Sequence, residues 1–290
     1  MDKNVTSFEL DSKCGRDTAV VERNVERFLF LSTFLTAVVA VAFLGLFFKE
    51  AFVPFLFVGS LNALFKLYML PWIFAWLAIS FKALIIAFPF ALFSALYISE
   101  IAPERLSKVF RFLFRLFEAT PTVIVAGIGV ALVAVRGRVG AGPTLAGVIA
   151  VLLAVSVYPA LVCYLLDRFT VVPKSFKMAS YALGASRWQT IKSTILPLVS
   201  PGAAAAALMG FRRILGEIIV ALVVIQTADS RFLQEGISQM VPLSMVFGSE
   251  SAVSGTILYH DVFILGFLML LLSYLLNHFA QRLIRAQGGE

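Results

Sequence analysis

Charge is the first thing this chain has little of. Asp, Glu, Lys and Arg make up only 14% of 290 residues, against roughly 25% in an ordinary soluble domain, while hydrophobic residues reach 60% and mean hydropathy is +0.93. That balance excludes a disordered protein, a nucleic-acid reader of ordinary type and most soluble enzymes, and leaves an all-α polytopic membrane protein. Reactive groups are scarce too. The only histidines, His260 and His278, stand at opposite ends of one apolar run with no carboxylate cluster beside them, so no metal site is expected. The only cysteines are Cys14, in a polar N-terminal stretch, and Cys163, deep in an apolar run, and they imply no disulfide framework. The sequence holds no G-x-x-x-x-G-K-[ST] phosphate loop, no Gly-x-Ser-x-Gly elbow and no His/Cys ligand spacing, so the chain is not expected to bind ATP or act as an enzyme by itself. No internal repeat is visible, and the one low-complexity tract, Ala203–Ala207, suits close helix packing.

What is present is a series of long apolar runs. At about 20 residues per crossing, six spans are marked: Phe28–Phe48, Ile73–Ile98, Ala119–Val135, Thr144–Leu166, Gly202–Gln226 and Asp261–Leu283. The basic residues orient them. With the N-terminus inside, the inner segments carry 16 Lys and Arg against five in the outer ones, and the positive-inside rule puts both termini in the cytoplasm. The formal net charge of +7 is therefore mostly topology. The first 27 residues are too long and too acidic for a signal peptide and read as a retained tail. The outward loops 49–72 and 227–260 are apolar enough to lie partly in the interface. The second holds Gly236, Pro242, Gly248 and Gly255, which break any long helix.

The inner loop from Asp167 to Ser200 looks ordered. Phe176, Ala179, Ala182 and Leu183 follow helical spacing, and Gly184 permits a sharp turn. A second short helix, Ser186 to Ile195, carries Trp188, Ile191 and Ile195 on one stripe, and Pro197 and Pro201 are expected to stop it before the next span. Such a helix–turn–helix offers a rigid surface that a soluble partner can push.

These residues carry a family resemblance. A short helix, a glycine, about ten residues and then Ile-Leu-Pro is similar to the coupling loop of ABC-importer permeases, and LGASRWQTIKSTILP (Leu183–Pro197) resembles the version in phosphate-importer permeases. ALYISEIAP (Ala95–Pro103), EATPTVIVAGIGV (Glu118–Val130) and FRRILGEIIVALVV (Phe211–Val224) resemble that family's segments at the end of span two, the start of span three and within span five. The likeness covers roughly Phe74 to Arg285. The family's loop usually begins Glu-Ala-Ala, where this chain has Met178, Ala179 and Ser180, and a usual Gly-Thr near span two is Ala75-Trp76.

The resemblance implies a type I ABC-importer permease fold of six transmembrane helices. Its divisions are a tail (1–27), a first span with its outer loop (28–72), a core (73–285) holding the coupling loop 167–200, and a short C-terminal tail (286–290). It implies a multi-pass subunit of the cytoplasmic membrane that moves inorganic phosphate. The implied partners are a second homologous permease of a different sequence, two ATP-binding subunits that carry the ATP and Mg, and an extracytoplasmic phosphate-binding protein. Met178, Ala179, Ser180, Leu183, Gly184, Ala185, Trp188 and Pro197 would dock the ATPase. A permease for another oxyanion (molybdate, tungstate, sulfate) is the alternative, and an ion-coupled carrier acting without an ATPase is a third reading.

The charges left inside the apolar runs point to the chemistry. Arg213 and Glu217 are four residues apart and share a helix face, near the middle of span five. An intramembrane charge costs about 2.5–3.5 kcal/mol on insertion scales, so the pair either neutralises itself or serves an anion, for which a guanidinium fork is suited. The resemblance assigns the matching Arg and Glu to transport. Arg212 points about 100° away, toward the pathway or toward a neighbouring helix. Two arginines and one glutamate amount to a net positive site, as an anion pathway requires. Thr120 and Thr122 offer hydroxyls beside a helix start that either meets an oxyanion or is an ordinary cap with Pro121 at its first turn. Lys82 either snorkels to the interface or lines the pathway.

Overall fold

The computed structural model describes residues 23, 25–49, 70–135, 143–217, 220 and 257–288, and every regular element among them is helical. In chain order these are α1 (Val25–Lys49), α2 (Leu70–Leu96) running into a single π-helical turn at Tyr97–Ile101, and α3 (Glu104–Glu118). Next come α4 (Thr122–Val135), α5 (Pro143–Thr170), α6 (Lys174–Ala182), α7 (Arg187–Thr190), a second π turn (Ile191–Ile195), α8 (Leu196–Gly216) and α9 (Ile257–Gly288). Among the described residues, five helices are long and apolar enough to cross a membrane: Val25–Lys49, Ile73–Ile101, Ala146–Thr170, Arg187–Gly216 and Gly266–Arg285. The 14 residues of α4 rise about 21 Å, short of a hydrocarbon core about 30 Å thick. The loops expected at 49–72 and 227–260 fall almost wholly outside the described residues, as does span five beyond Val220.

Lipid tails are as apolar as leucine, so helices in a membrane are held by close packing and by hydrogen bonds rather than by exclusion of water. The sequence meets that need with small residues. Ala83, Ala87, Ala91 and Ala95 recur every fourth position of α2 and are all buried, giving a shallow seam that faces α5. Helix α5 is the hub. Its Leu153, Leu161, Leu165 and Phe169 are buried, and it touches α2, α3, α4 and α8. Ser94 and Tyr158 share a hydrogen bond of 2.7 Å across the α2–α5 seam, and Phe114 of α3 meets the Tyr158 ring edge-on at 5.7 Å. Helix α1 is apolar and exposed along its length, as a lipid-facing helix should be. It leans on α9 where the Phe48 and Phe267 rings meet at 5.1 Å.

Helices α5 and α8 pack closely at Gly210. A Cβ built there would stand 2.3 Å from Leu161 Cδ2, and Leu161 is itself fully buried. Gly210→Ala should therefore cost about 1–3 kcal/mol of overpacking, read as a lower melting temperature of the purified complex. An unchanged melting temperature would mean that Leu161 has room to turn aside.

Helices α2 and α8 run antiparallel. Trp76, near the start of α2, bonds Leu215, near the end of α8, while Glu100, past the end of α2, bonds Arg187, ahead of α8. This pairing corrects two expectations. Pro197 and Pro201 do not stop a short helix, because Arg187–Gly216 is continuous. Pro197 follows directly on the π turn Ile191–Ile195, where the helical hydrogen-bond ladder already changes register. Pro201 has no N–H to give the Pro197 carbonyl, and the Ser200 hydroxyl donates to that oxygen instead, at 2.9 Å. The fifth span also begins earlier than Gly202 and breaks earlier. Gly216 is the last residue of α8, Glu217 has a non-helical backbone (φ −84°, ψ 49°), and Val220 is helical again. Arg213 and Glu217 thus lie at a helix end and not at mid-helix.

Candidate functional site: a junction of broken helices

A second break faces that helix end. Glu118 closes α3, residues Ala119–Pro121 turn the chain, and Thr122 opens α4. Counted from Leu196, Arg213 is about 26 Å along α8; counted from Glu104, Glu118 is about 21 Å along α3. Arg213 belongs to a helix long and apolar enough to cross a membrane, and irregular backbone within the hydrocarbon survives only if it is buried in protein or lines a water-filled cavity.

Arg213 Nη1 stands 3.6 Å from Glu118 Oε1, and its Nε stands 3.8 Å from Glu217 Oε1. Its Nη2 donates to the Glu118 main-chain carbonyl at 3.2 Å, and its buried Nε has no hydrogen-bond partner. The Thr122 side chain lies near the Glu217 carboxyl, and the buried Cys163 of α5 lies near Glu118. Helix dipoles act unequally on the three charges. They favour the cation, in the last turn of α8, but not Glu118 and Glu217, which close α3 and α8 at their C-terminal ends. Trp76 completes the frame: fully buried, it donates its indole N–H at 3.2 Å to the Leu215 carbonyl, one of the acceptors a helix end leaves open.

The i,i+4 pair expected from the sequence is present, yet the charge balance is not the expected one. Glu118 joins the site and Arg212 does not, being exposed on another face of α8. One guanidinium and two carboxylates amount to a net negative cluster when all are ionised, not a net positive one. Thr122 is brought to the site. Thr120 lies half-buried in the turn, its backbone N–H bonded to the Phe117 carbonyl at 3.1 Å. Lys82 is exposed on α2, and no ion pair among the described residues includes it.

The loop at the other end of the bundle is built as two short helices. Ser186 caps α7 in a reciprocal box with Gln189, and Gly184, between the helices, has φ +82°. Ser180 and Thr190 join α6 to α7 through a 2.9 Å hydroxyl pair, so Ser180 faces inward, and Ala185 is half-buried. Met178, Ala179, Leu183, Gly184, Trp188 and Pro197 are exposed, with Leu183 at 89% and Trp188 at 64%. The stripe Phe176, Ala179, Ala182 and Leu183 also faces outward, whereas Ile191 and Ile195 are buried in the bundle.

One connection was not legible in the sequence. Lys177 Nζ lies 2.7 and 2.9 Å from the two Glu100 carboxylate oxygens, and the Glu100 main-chain carbonyl accepts from Arg187. The loop is thus pinned to the end of α2. These partners are 77 and 87 residues apart, so no local spacing reveals them. The amphipathic helix α3 did have a signal, with Phe110 and Phe114 one turn apart and both against the core.

A crossing bundle interrupted at an ion-paired junction, with a rigid exposed loop at one end, has the build of a membrane transport subunit. Residues 87–287 match the family of binding-protein-dependent transport system inner membrane components, and the chain belongs to that family. It is therefore a multi-pass membrane transport subunit. It is 30% identical to the "Probable ABC transporter permease protein YqgH" of Bacillus subtilis over 219 residues, 71% of this chain and 68% of that one. It is 29% identical to the phosphate transport system permease protein PstC of Mycobacterium leprae over 170 residues, 51% of this chain and 53% of that one. The match thus spans about half the length of the PstC relative. Among solved structures, a bacterial alginate ABC transporter superposes with a TM-score of 0.64 at 17% identity, covering 92% of this chain and 98% of the other. The inward-facing MetNI methionine ABC transporter superposes at 0.53 and 18% identity, covering 74% and 94%. At such identities these two share the fold.

Proposed function

We propose that this chain is the permease subunit of an ATP-driven ABC importer that moves inorganic phosphate by alternating access around Arg213. The observation that carries the reading is Arg213, on a helix apolar enough to cross a membrane, with its Nε donor unused between two helix breaks. A guanidinium there suits an oxyanion, and broken helices at the midplane are where transporters build substrate sites. The PstC relative adds weight to phosphate. In this reading the loop end of the bundle and both termini are cytoplasmic. Two ATPase subunits, which carry the ATP and Mg, dock on the exposed Met178–Trp188 surface, a second homologous permease completes the pathway, and a phosphate-binding protein docks outside. ATP-driven closure of the ATPases pushes α6 and α7. Because Arg187–Gly216 is one uninterrupted helical run, the push is carried along it to Arg213.

Uptake of labelled phosphate by the assembled complex, with arsenate and molybdate as competitors, tests the substrate. Arsenate is expected to compete. If molybdate competes and phosphate is ignored, the chain serves another oxyanion. Phosphate flux from the chain reconstituted without any ATPase would sink the ABC reading. The loop gives a separate test. A β-branched residue at the positive φ of Gly184 costs about 1–2 kcal/mol or more, so Gly184→Val should leave ATP hydrolysis running while uptake falls, read as more ATP consumed per phosphate moved. Normal coupling would show that the turn tolerates a side chain.

A further inference from the structure

The proposed phosphate pathway leaves one residue unexplained. Glu118 adds a second carboxylate to a site that should attract anions, and an anion with only acceptor oxygens would meet repulsion there. The geometry is nevertheless loose. Neither carboxylate is within 3.5 Å of the guanidinium nitrogens it pairs with, and Arg213 Nε lacks a hydrogen-bond partner. The cation therefore has donors to spare, and an ionised carboxylate is a pure acceptor.

The ligand that satisfies both is an oxyanion carrying its own proton. Its bare oxygens accept from Arg213, and its O–H donates to a carboxylate in a short charge-assisted bond. Hydrogen phosphate, dihydrogen phosphate and hydrogen arsenate have that donor at neutral pH, whereas sulfate and molybdate do not. Glu217 is the lesser candidate for the acceptor, since it lies only four residues from Arg213 in the chain. Glu118 comes from a different element than Arg213, and its side chain is the more open of the two, 27% exposed against 13%. We propose that Glu118 is a specificity-determining residue that accepts the proton of a protonated oxyanion opposite Arg213, so that the site selects hydrogen phosphate over aprotic anions of the same charge. This rests on the reading of Arg213 as the anion site.

The test compares inorganic phosphate with monofluorophosphate, in which P–F replaces P–OH at equal charge and nearly equal size, and with sulfate. Binding is measured by thermal shift on the whole permease–ATPase complex in lipid nanodiscs, without the external binding protein, so that the filter read is this chain's own. Sites built to bond a substrate hydroxyl reject analogues lacking it strongly, and a preference for phosphate of about tenfold or more is expected. Glu118→Gln removes the repulsion and should bring that ratio near one, whereas Glu118→Asp should keep its direction. An unchanged ratio in Glu118→Gln, or no preference in the wild-type complex, would overturn the proposal. Should Glu118→Gln fail to assemble, the wild-type and Glu118→Asp ratios decide. Phosphate binding that survives Arg213→Gln undiminished would instead remove the anion site itself, a distinguishable failure.

Discussion

Arg213→Gln should reduce phosphate uptake by roughly ten- to a hundredfold or more, because a hydrogen bond to a charged group contributes about 1.5–3 kcal/mol. The substitution removes the only cation in the cluster and leaves Glu118 and Glu217 facing one another across the break between α3 and α4. Some loss of stability is expected with it, so the complex is purified and weighed beside each uptake measurement. Arg213→Lys separates the two effects. It keeps a positive charge near both carboxylates but not the planar fork, and should restore assembly more fully than transport. If Arg213→Gln assembles and takes up phosphate at the wild-type rate, the ion pairs hold the fold and nothing more.

The second large effect is expected at the other end of the bundle. The Glu100 side chain is only 7% exposed and that of Lys177 22%. Lys177→Met would strand a buried carboxylate, a loss of about 3–5 kcal/mol for a pair of this kind. The result should be a lower melting temperature, poorer assembly and weaker coupling of ATP hydrolysis to uptake, because the loop would no longer be tied to α2. Exchanging the charges, Glu100→Lys together with Lys177→Glu, should recover at least half of the stability. No recovery would mean that burial of that particular carboxylate matters and the ion pair does not. The Lys108–Glu104 pair on α3 has a similar distance, 2.7 Å, with side chains 74% and 82% exposed. It holds the Glu104 carboxyl below its ordinary range through the Lys108 hydrogen bond, yet water screens it, and no comparable effect is expected there.

The spans marked from hydropathy match the helices where an apolar run is uninterrupted. Ile73–Ile98, Thr144–Leu166 and Asp261–Leu283 fall on α2, α5 and α9 to within a few residues at most ends. They fail where a local rule is overridden by a neighbour. Two prolines looked like a stop, but one follows directly on a π turn and the Ser200 hydroxyl covers the carbonyl that the other leaves open. The break at Glu217 had no local sign. It occurs where Trp76, 139 residues earlier, takes up the Leu215 carbonyl.

The charges divide in the same way. Arg213 and Glu217 were legible because two charges in an apolar run are costly and a spacing of four places them on one helix face. Glu118 was visible only as part of a turn beside Pro121, and no spacing within the chain links it to Arg213, 95 residues away.

By itself, the sequence determined that the chain is helical, that it spans a membrane several times, that a rigid turn at Gly184 separates two short helices, and that an arginine lies in the apolar layer. Each of these follows from composition or from contacts within a few residues, where helical geometry is enough. The tertiary structure alone decided what surrounds that arginine. Two helix breaks from distant parts of the chain meet at it, and the second carboxylate they bring turns an expected net positive site into one with an acceptor opposite a donor. That outcome depends on which helices pack together, a long-range matter that periodicity does not encode.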